Sequence, residues 1–389
     1  MQKQLELNRN LQFEELRKLA SAEGPCITVS FALQMAPNTS RVDLQKLNSA
    51  MRSVEQKLED GWPDLSKADR RELVELPGEL ADNSDDWGGS GGTLVILRSR
   101  DVFRAFEVHD ANVPETVHVG EFFHIFPYIH GLQLREQVFY VLALSQNNVR
   151  LLRCTRDSSD VINLAPNTYT SLEEWLNTRM PNASPEHGSV RQSDTGSTGG
   201  SFTSTTDVDN KDRHIANFFN HINDAVYEAL RGKTDPLVLC GVDYERTIYA
   251  QVNTYSHLWE EGVHGSPESL KGGEMHARAL QAVQDYFAQP AKKALEQWNR
   301  LAGGTRATAK FPDIVKAAFE GRVAILLAKE GTSTMGVFDR STMEMKVAGR
   351  QEDLVNAAAV QTLAFGGDVF ILRPEDVPGG SHVAAVLRY

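Results

Sequence analysis

QVFYVLALSQNNVRLLRCT, residues 137–155, decides how the rest of the chain is read. Two apolar runs, 137–144 and 149–155, flank Ser145-Gln146-Asn147-Asn148, a polar turn of hairpin length. After the hairpin, periodicity almost vanishes between 156 and 212, where SLEEWLNT (171–178) is the one helical-looking piece. RQSDTGSTGGSFTSTTDVDNK (191–211) has too little apolar surface to bury. Order returns at about Asp212 with a helix carrying Ile215, Phe218, Phe219, Ile222, Val226 and Leu230 on one face. PLVLCG (236–241) follows as a buried strand, then YERTIYAQVN as a helix. A strand, a loop of about 55 residues, a helix and a strand make an unusual order, because connections inside a domain are mostly far shorter. Long loops of that kind are functional or are linkers, and one that interrupts a domain is read as functional.

The flanking segments have a mixed α/β pattern. On the N-terminal side, an opening helix (Leu11, Phe13, Leu16, Leu19) leads through Gly24-Pro25 into the strand CITVSFAL, 26–33. Ser40 is a plausible N-cap for a helix with Leu44, Leu47, Met51, Val54 and Leu58 on one face and Arg41, Lys46, Arg52 and Lys57 on the other. The stretch 60–92 is acidic and glycine-rich and is read as irregular; the strands TLVILRS and VFRAFEV and the connector EFFHIFPYIHGLQ come after it. On the C-terminal side, a long amphipathic helix (Leu280, Val283, Phe287, Leu295, Trp298, Leu301) is interrupted by Pro290. Strands are expected at 323–328, 368–373 and 382–389, and helices at 312–320 and 352–364 that stop at Gly321 and Gly366. The expected architecture is therefore α/β in three mixed domains: 1–135, 136–272 with the long loop 156–212, and a C-terminal α/β sandwich, 273–389.

Composition narrows the function classes. No run of 18 apolar residues is present, and the N-terminus MQKQLELNRN has no apolar core, so neither a spanning helix nor a secretory signal is expected. Cys26, Cys154 and Cys240 lie far apart without metal spacing, which suits a reducing cytoplasm. The net charge of -12 argues against a general nucleic-acid binder and against DNA as a partner. It is unevenly spread, at -6 over 1–135, -7 over 136–271 and +1 over 272–389.

Other chemistry is weakly signalled. His214 and His221 share a helix face with Asn217 and Asp224 nearby, but seven residues is a poor spacing for chelation. Asp207, Asp209 and Asp212 are most simply explained by helix-dipole compensation. GGSGG (88–92) precedes a strand, whereas phosphate loops follow one. No catalytic residue, metal or cofactor is assigned.

The order of these pieces resembles the archaeo-eukaryotic class-1 release factors and Pelota, and in particular their bacterial release-factor-like branch. CITVSFAL with SRVDLQKLNSAMRSVEQKL is similar to the family's first strand and long helix. The hairpin, loop, DRHIANFFNHINDAVYEAL and PLVLCG resemble its middle domain, and FPDIVKAAFEGRVAILLAKEG its C-terminal domain. The resemblance implies a cytoplasmic factor in the ribosomal A site, contacting rRNA, with a translational GTPase as a possible partner of the last domain. It places the loop tip at the peptidyl-transferase centre. Where the family has Gly-Gly-Gln, this chain has Gly199-Gly200-Ser201, and no Asn-Ile-Lys-Ser element occurs in the first segment. Serine is too short to stand in for the glutamine amide, so the implied action is occupancy (stalling, hibernation or rescue) rather than standard peptidyl-tRNA hydrolysis. The candidate RNA contacts are Arg41, Lys46, Arg52, Arg191, Lys211 and Arg213. Two other classes stay open: a peptidyl-tRNA or RNA hydrolase using His221 or Asp224, and a stress-related protein-interaction module.

Overall fold

In the computed structural model, residues 13–22, 24–34, 40–75, 91–108, 113–179, 205–271, 273–346 and 349–389 are described. The chain divides into two compact units, one formed by Gln137–Gln289 and the other by Met1–Glu136 together with Pro290–Tyr389.

The middle unit is built around β5 (Phe139–Ala143), which pairs antiparallel with β6 (Arg150–Cys154) and parallel with β8 (Leu237–Gly241). β7 (Ser159–Ile162) and β9 (Val263–His264) complete the sheet in the order β7-β6-β5-β8-β9. Strand β5 has no polar alternation because both of its faces are covered. Tyr140 and Leu142, with Leu144 just beyond the strand, pack with the apolar stripe Ile215–Leu230, most of which lies on helix α6 (Thr205–Ala229). Phe139, Val141 and Ala143 share the opposite cluster with Ala279 and Val283 of α8 (Glu274–Leu301). A strand with helices on both sides is a centre, and its apolar run is the consequence.

The helical-looking SLEEWLNT is found as α5 (Leu172–Arg179). Two features differ from the sequence expectation here: β7 lies inside the stretch read as loop, and α6 begins at Thr205 rather than near Asp212. β7 escapes notice because it is an edge strand with exposed side chains, so no apolar pattern marks it. The helix through Pro290 is continuous, although the division between the two units falls at that residue.

In the other unit, α1 (Phe13–Leu19), α2 (Ser40–Gly61), α3 (Lys67–Val74) and α4 (Phe126–Arg135) surround an antiparallel sheet. Its strands are β1 (Cys26–Ala32), β2 (Thr93–Arg98), β3 (Phe103–Val108) and β4 (Thr116–Gly120), in the order β3-β2-β1-β4. One face packs on Leu47, Met51, Val54 and Leu58 of α2 and Leu73 of α3. Helix α3 corrects the reading of 60–92 as irregular; residues 76–90 of that stretch lie outside the described residues.

The C-terminal sheet, in the order β10-β16-β11-β15, contains β10 (Ala307–Thr308), β11 (Val323–Lys329), β15 (Asp368–Leu372) and β16 (Val383–Leu387). Helices α9 (Phe311–Phe319) and α10 (Leu354–Ala364) cover one of its faces. A small sheet of β12 (Met335–Asp339), β13 (Glu344–Lys346) and β14 (Glu352–Asp353), absent from the sequence expectation, sits between them in the chain. Nine of the eleven residues of α10 are buried, so it has no polar face to show in a hydrophobic pattern. Its alanines and valines share one core with Leu16, Phe106, Phe123, Ile129 and Leu132 of the first segment. Docked domains and a single domain can both share such a core.

The start of α4 depends on this packing. Its N-cap residue, Ile125, offers no side-chain acceptor. Asn356 of α10 supplies one: its Oδ1 accepts from Ile125 N (2.9 Å) and Phe126 N (3.0 Å), and its Nδ2 donates to Phe123 O (3.0 Å). Asn356→Ala leaves three buried backbone groups unpaired and is expected to cost about 3 kcal/mol or more. Urea denaturation checks this: Asn356→Asp, which keeps the acceptor, should lose less, and a loss below about 1 kcal/mol in Asn356→Ala would remove the cap from the account.

Candidate functional site

The carboxyl ends of the parallel strands β5, β8 and β9 lie along one edge of the middle sheet. Open α/β sheets present binding groups at that edge, where strands stop and backbone turns away. Three short stretches meet there: Ser145–Asn147 after β5, Asp243–Arg246 opening α7 (Asp243–Val252), and His264–Glu268 at and after β9. Ser145 Oγ donates to Glu268 Oε1 at 2.6 Å, and Asn147 Nδ2 reaches the same oxygen at 3.1 Å. Gln146 Nε2 donates to Glu245 Oε1 at 2.9 Å.

Beside them, His264 Nδ1 lies 2.6 Å from Asp243 Oδ1, and Arg246 Nη1 lies 3.0 Å from the same ring nitrogen and 3.4 Å from Asp243. The Arg246 side chain is 15% exposed, against 70% for His264 and 77% for Asp243, so the arginine is the floor of the cluster and the other two are its rim. A glycine makes this possible. A Cβ at Gly262 would stand 2.5 Å from Leu239 O and 2.8 Å from Arg246 Nη2. His264 also borders an open cleft of about 490 Å³ with Arg278, Gln281 and Asp285.

Burial pushes the Glu245 carboxyl above the usual range, with the nearby Glu268 charge adding to it, while the Gln146 hydrogen bond and Lys211 act the other way. The hydrogen bond from Ser145, and then that from Asn147, holds Glu268 below its ordinary value. Cys154 and Cys240 are buried thiols pushed up to about 12 and about 11, chiefly by desolvation, and are unsuited to act as nucleophiles. The polar groups are largely paired with one another, an arrangement that stiffens an edge more than it prepares a reaction.

The sequence candidates fall in several places. Lys211, on α6, lies close enough to Glu245 to lower its proton affinity, and its neighbour Asp212 accepts a hydrogen bond from Tyr244 Oη. The first described turns of α6 therefore meet the carboxyl edge, and the stretch leading into them is 180–204. Arg191, Gly199, Gly200 and Ser201 belong to that stretch and lie outside the described residues. Arg213 is exposed on α6. In the other unit, Arg41 and Arg52 are exposed on α2, whereas Lys46 is engaged by Ala32 O (2.9 Å) and Glu115 (3.5 Å), and Lys57 by Val117 O (2.6 Å). His221 Nε2 accepts from Tyr169 N at 3.1 Å and its ring rests against Tyr169, which gives it a structural role; Asp224 is exposed. Among the described residues no group of three or more His, Cys, Asp or Glu could hold a metal ion.

Sequence reasoning missed the edge cluster, because its members span residues 145 to 268 and only the parallel pairing of β5, β8 and β9 gathers them. The available signal was the immediate step from PLVLCG into a helix at Asp243, which marks the carboxyl end of a buried strand.

Comparison with known proteins finds a match that spans nearly all of this unit and continues beyond it. The model of bacterial archaeo-eukaryotic release factor family 3 matches residues 138–322, a little under half of the chain. The family resemblance read from the sequence is borne out over that stretch. Among solved structures, an archaeal translation termination factor aligns at 10% identity over 99% of this chain and 100% of its own, with a TM-score of 0.25. S. cerevisiae Dom34, described as a translation termination-like factor interacting with Hbs1, aligns at 10% identity over 98% and 94%, with a TM-score of 0.36. Archaeoglobus fulgidus Pelota aligns at 12% identity over 76% and 79%, with a TM-score of 0.33. At scores of this size these likenesses carry no argument, and the functional reading rests on the 138–322 match. No curated protein matches the chain significantly.

The edge geometry makes a stability prediction. Gly262→Ala forces a methyl against the Leu239 carbonyl and Arg246 and should cost about 2 kcal/mol, as overpacking does. His264→Gln, at an exposed position, should change stability by less than about 0.5 kcal/mol. Thermal unfolding of both variants checks the contrast, which fails if the two shifts are equal.

Proposed function

We propose that this protein is a ribosome-associated translation factor of the release-factor and Pelota type, acting in the cytoplasm by occupying the A site. The observation that carries the reading is the family match over 138–322, which spans the hairpin, the long Gly/Ser-bearing stretch and helix α6. In this reading the stretch containing Gly199-Gly200-Ser201 acts at the peptidyl-transferase centre. Glutamine is absent at the tip, so the expected outcome is occupancy, in stalling, hibernation or rescue, without standard peptidyl-tRNA hydrolysis. The C-terminal segment would face a partner such as a translational GTPase.

Contact with rRNA has to be local, because a chain with net charge -12 gains little from long-range attraction to phosphate. Arg41 and Arg52 are the better placed of the α2 candidates, being exposed where Lys46 and Lys57 are already engaged within the fold. Lys211, Arg213 and Arg191 would serve the middle unit.

Sedimentation with bacterial 70S ribosomes tests this directly. The full chain should co-migrate with ribosomes at low salt and less so at moderate salt. Arg41→Glu/Arg52→Glu should weaken binding and flatten the salt dependence by roughly one phosphate contact per arginine lost. Deleting 192–206 should reduce co-migration. Absence of the intact protein from ribosomal fractions at both salts, with and without a GTPase, would overturn the proposal. Turnover of peptidyl-tRNA by the purified chain would favour the hydrolase reading instead.

A further inference from the structure

Glu352 is a carboxyl group in an unusual place. It ends the small sheet at β14, its side chain is 12% exposed, and its Oε1 accepts from Glu121 N at 2.8 Å. Its Oε2 lies 3.8 Å from Nε2 of His118, itself 18% exposed on β4. The His118 ring stands 5.2 Å from that of His124, and neither His118 Nε2 nor His124 Nδ1 has a hydrogen-bond partner despite being buried. Gly120 makes room for the group: a Cβ there would stand 2.5 Å from Glu352 Oε2 and would also strike the His118 ring. His124 N donates to Thr28 Oγ1 at 2.9 Å, so the cluster is anchored on the first sheet as well as on the segment leading into α10.

We infer that Glu352, His118 and His124 form a proton-operated clasp that ties the connector 121–126 to the start of α10, closed on the acid side of neutrality and loosened above it. Protonated, Glu352 is uncharged in its buried site, its Oε2 resting 3.8 Å from His118 Nε2 in van der Waals contact. Ionised, it brings a negative charge beside the Glu121 carboxylate into a pocket with little water. The charged groups around it come from every element packed there. Arg340, 3.3 Å from Glu121 and stacked over Phe122, and Arg350, stacked over Trp62, partly offset the ionised form. Lys57 disfavours a charged His118, and Asp353 favours a charged His124.

The direction follows from proton linkage. Burial first, then the Glu121 charge, raises the Glu352 carboxyl to about 7 against the Glu121 N hydrogen bond, which favours the ionised form, whereas an open clasp returns it toward 4.5. The closed form thus binds the proton more tightly, and its advantage fades as pH rises from 4.5 through 7. The histidines act in the opposite sense. Burial, with His124 and Lys57 charges, lowers His118 to about 4, and burial lowers His124, so their contribution is complete above 6.5 and fades as pH falls. The clasp is tightest between these limits, with Glu352 protonated and both rings neutral. It lies wholly within one unit and is independent of the ribosome reading.

Hydrogen exchange read by mass spectrometry over peptides covering 118–126 tests the clasp in the full chain, comparing wild type with Glu352→Gln at each pH. Glutamine keeps the acceptor for Glu121 N and cannot ionise. The ratio of opening in wild type to opening in the variant should rise about tenfold between pH 6 and pH 8. A ratio that stays constant overturns the proposal. Should Glu352→Gln fail to fold, the His118→Gln/His124→Gln double variant provides the measurement, since it removes the opposing slope. Its own opening, corrected for intrinsic exchange, should rise by a similar factor of about ten over that range, and a flat profile there overturns the proposal equally.

Discussion

One amide side chain holds together segments that are more than two hundred residues apart in the chain. Asn356 gives the first turn of α4 the acceptor that its own N-cap, Ile125, lacks, and it takes the Phe123 carbonyl in return. Helix ends cannot be buried with their N–H groups unpaired. The connector 121–126 could not pass through the core without this partner. Asp353 caps α10 itself through Val355 N, so the residue that starts the helix and the residue that caps its neighbour are three positions apart. Much of the surrounding core follows from that placement. Alanines 357–359 let α10 approach closely, and Phe123, Ile129 and Leu132 fill against it.

The middle unit solves a different problem. Its central strand is buried on both faces, and its polar groups collect where the parallel strands stop. There Glu245 and Glu268 are fed by amide and hydroxyl donors, and Arg246 is buried beside the exposed His264 and Asp243. Such a network is costly if half satisfied and rigid if fully satisfied.

Much of the architecture was legible in the residues themselves. The stripe Ile215–Leu230, the α2 stripe Leu44–Leu58 and the runs 137–144 and 236–241 gave their elements correctly, because burial on one side of a helix, or on both sides of a strand, leaves a periodic or continuous apolar trace in local sequence. The positively twisted stops at Gly321 (φ +69°) and Gly366 (φ +72°) were legible for an equally local reason. β7 and β13 left no such trace, since their side chains are largely exposed, and β12 is too little buried and β14 too short to leave one.

The sequence by itself determined the α/β class, the order of the main buried elements and the family resemblance of the middle stretch. Tertiary structure alone decided that α10 is central, that Lys46 and Lys57 are engaged while Arg41 and Arg52 stay exposed, and that Asp243 meets His264 and Glu352 meets His118. The reason is one of range. Periodicity records what each residue meets within a few turns of its own element, whereas a buried polar contact depends on which distant backbone arrives beside it, and nothing in the local pattern carries that information.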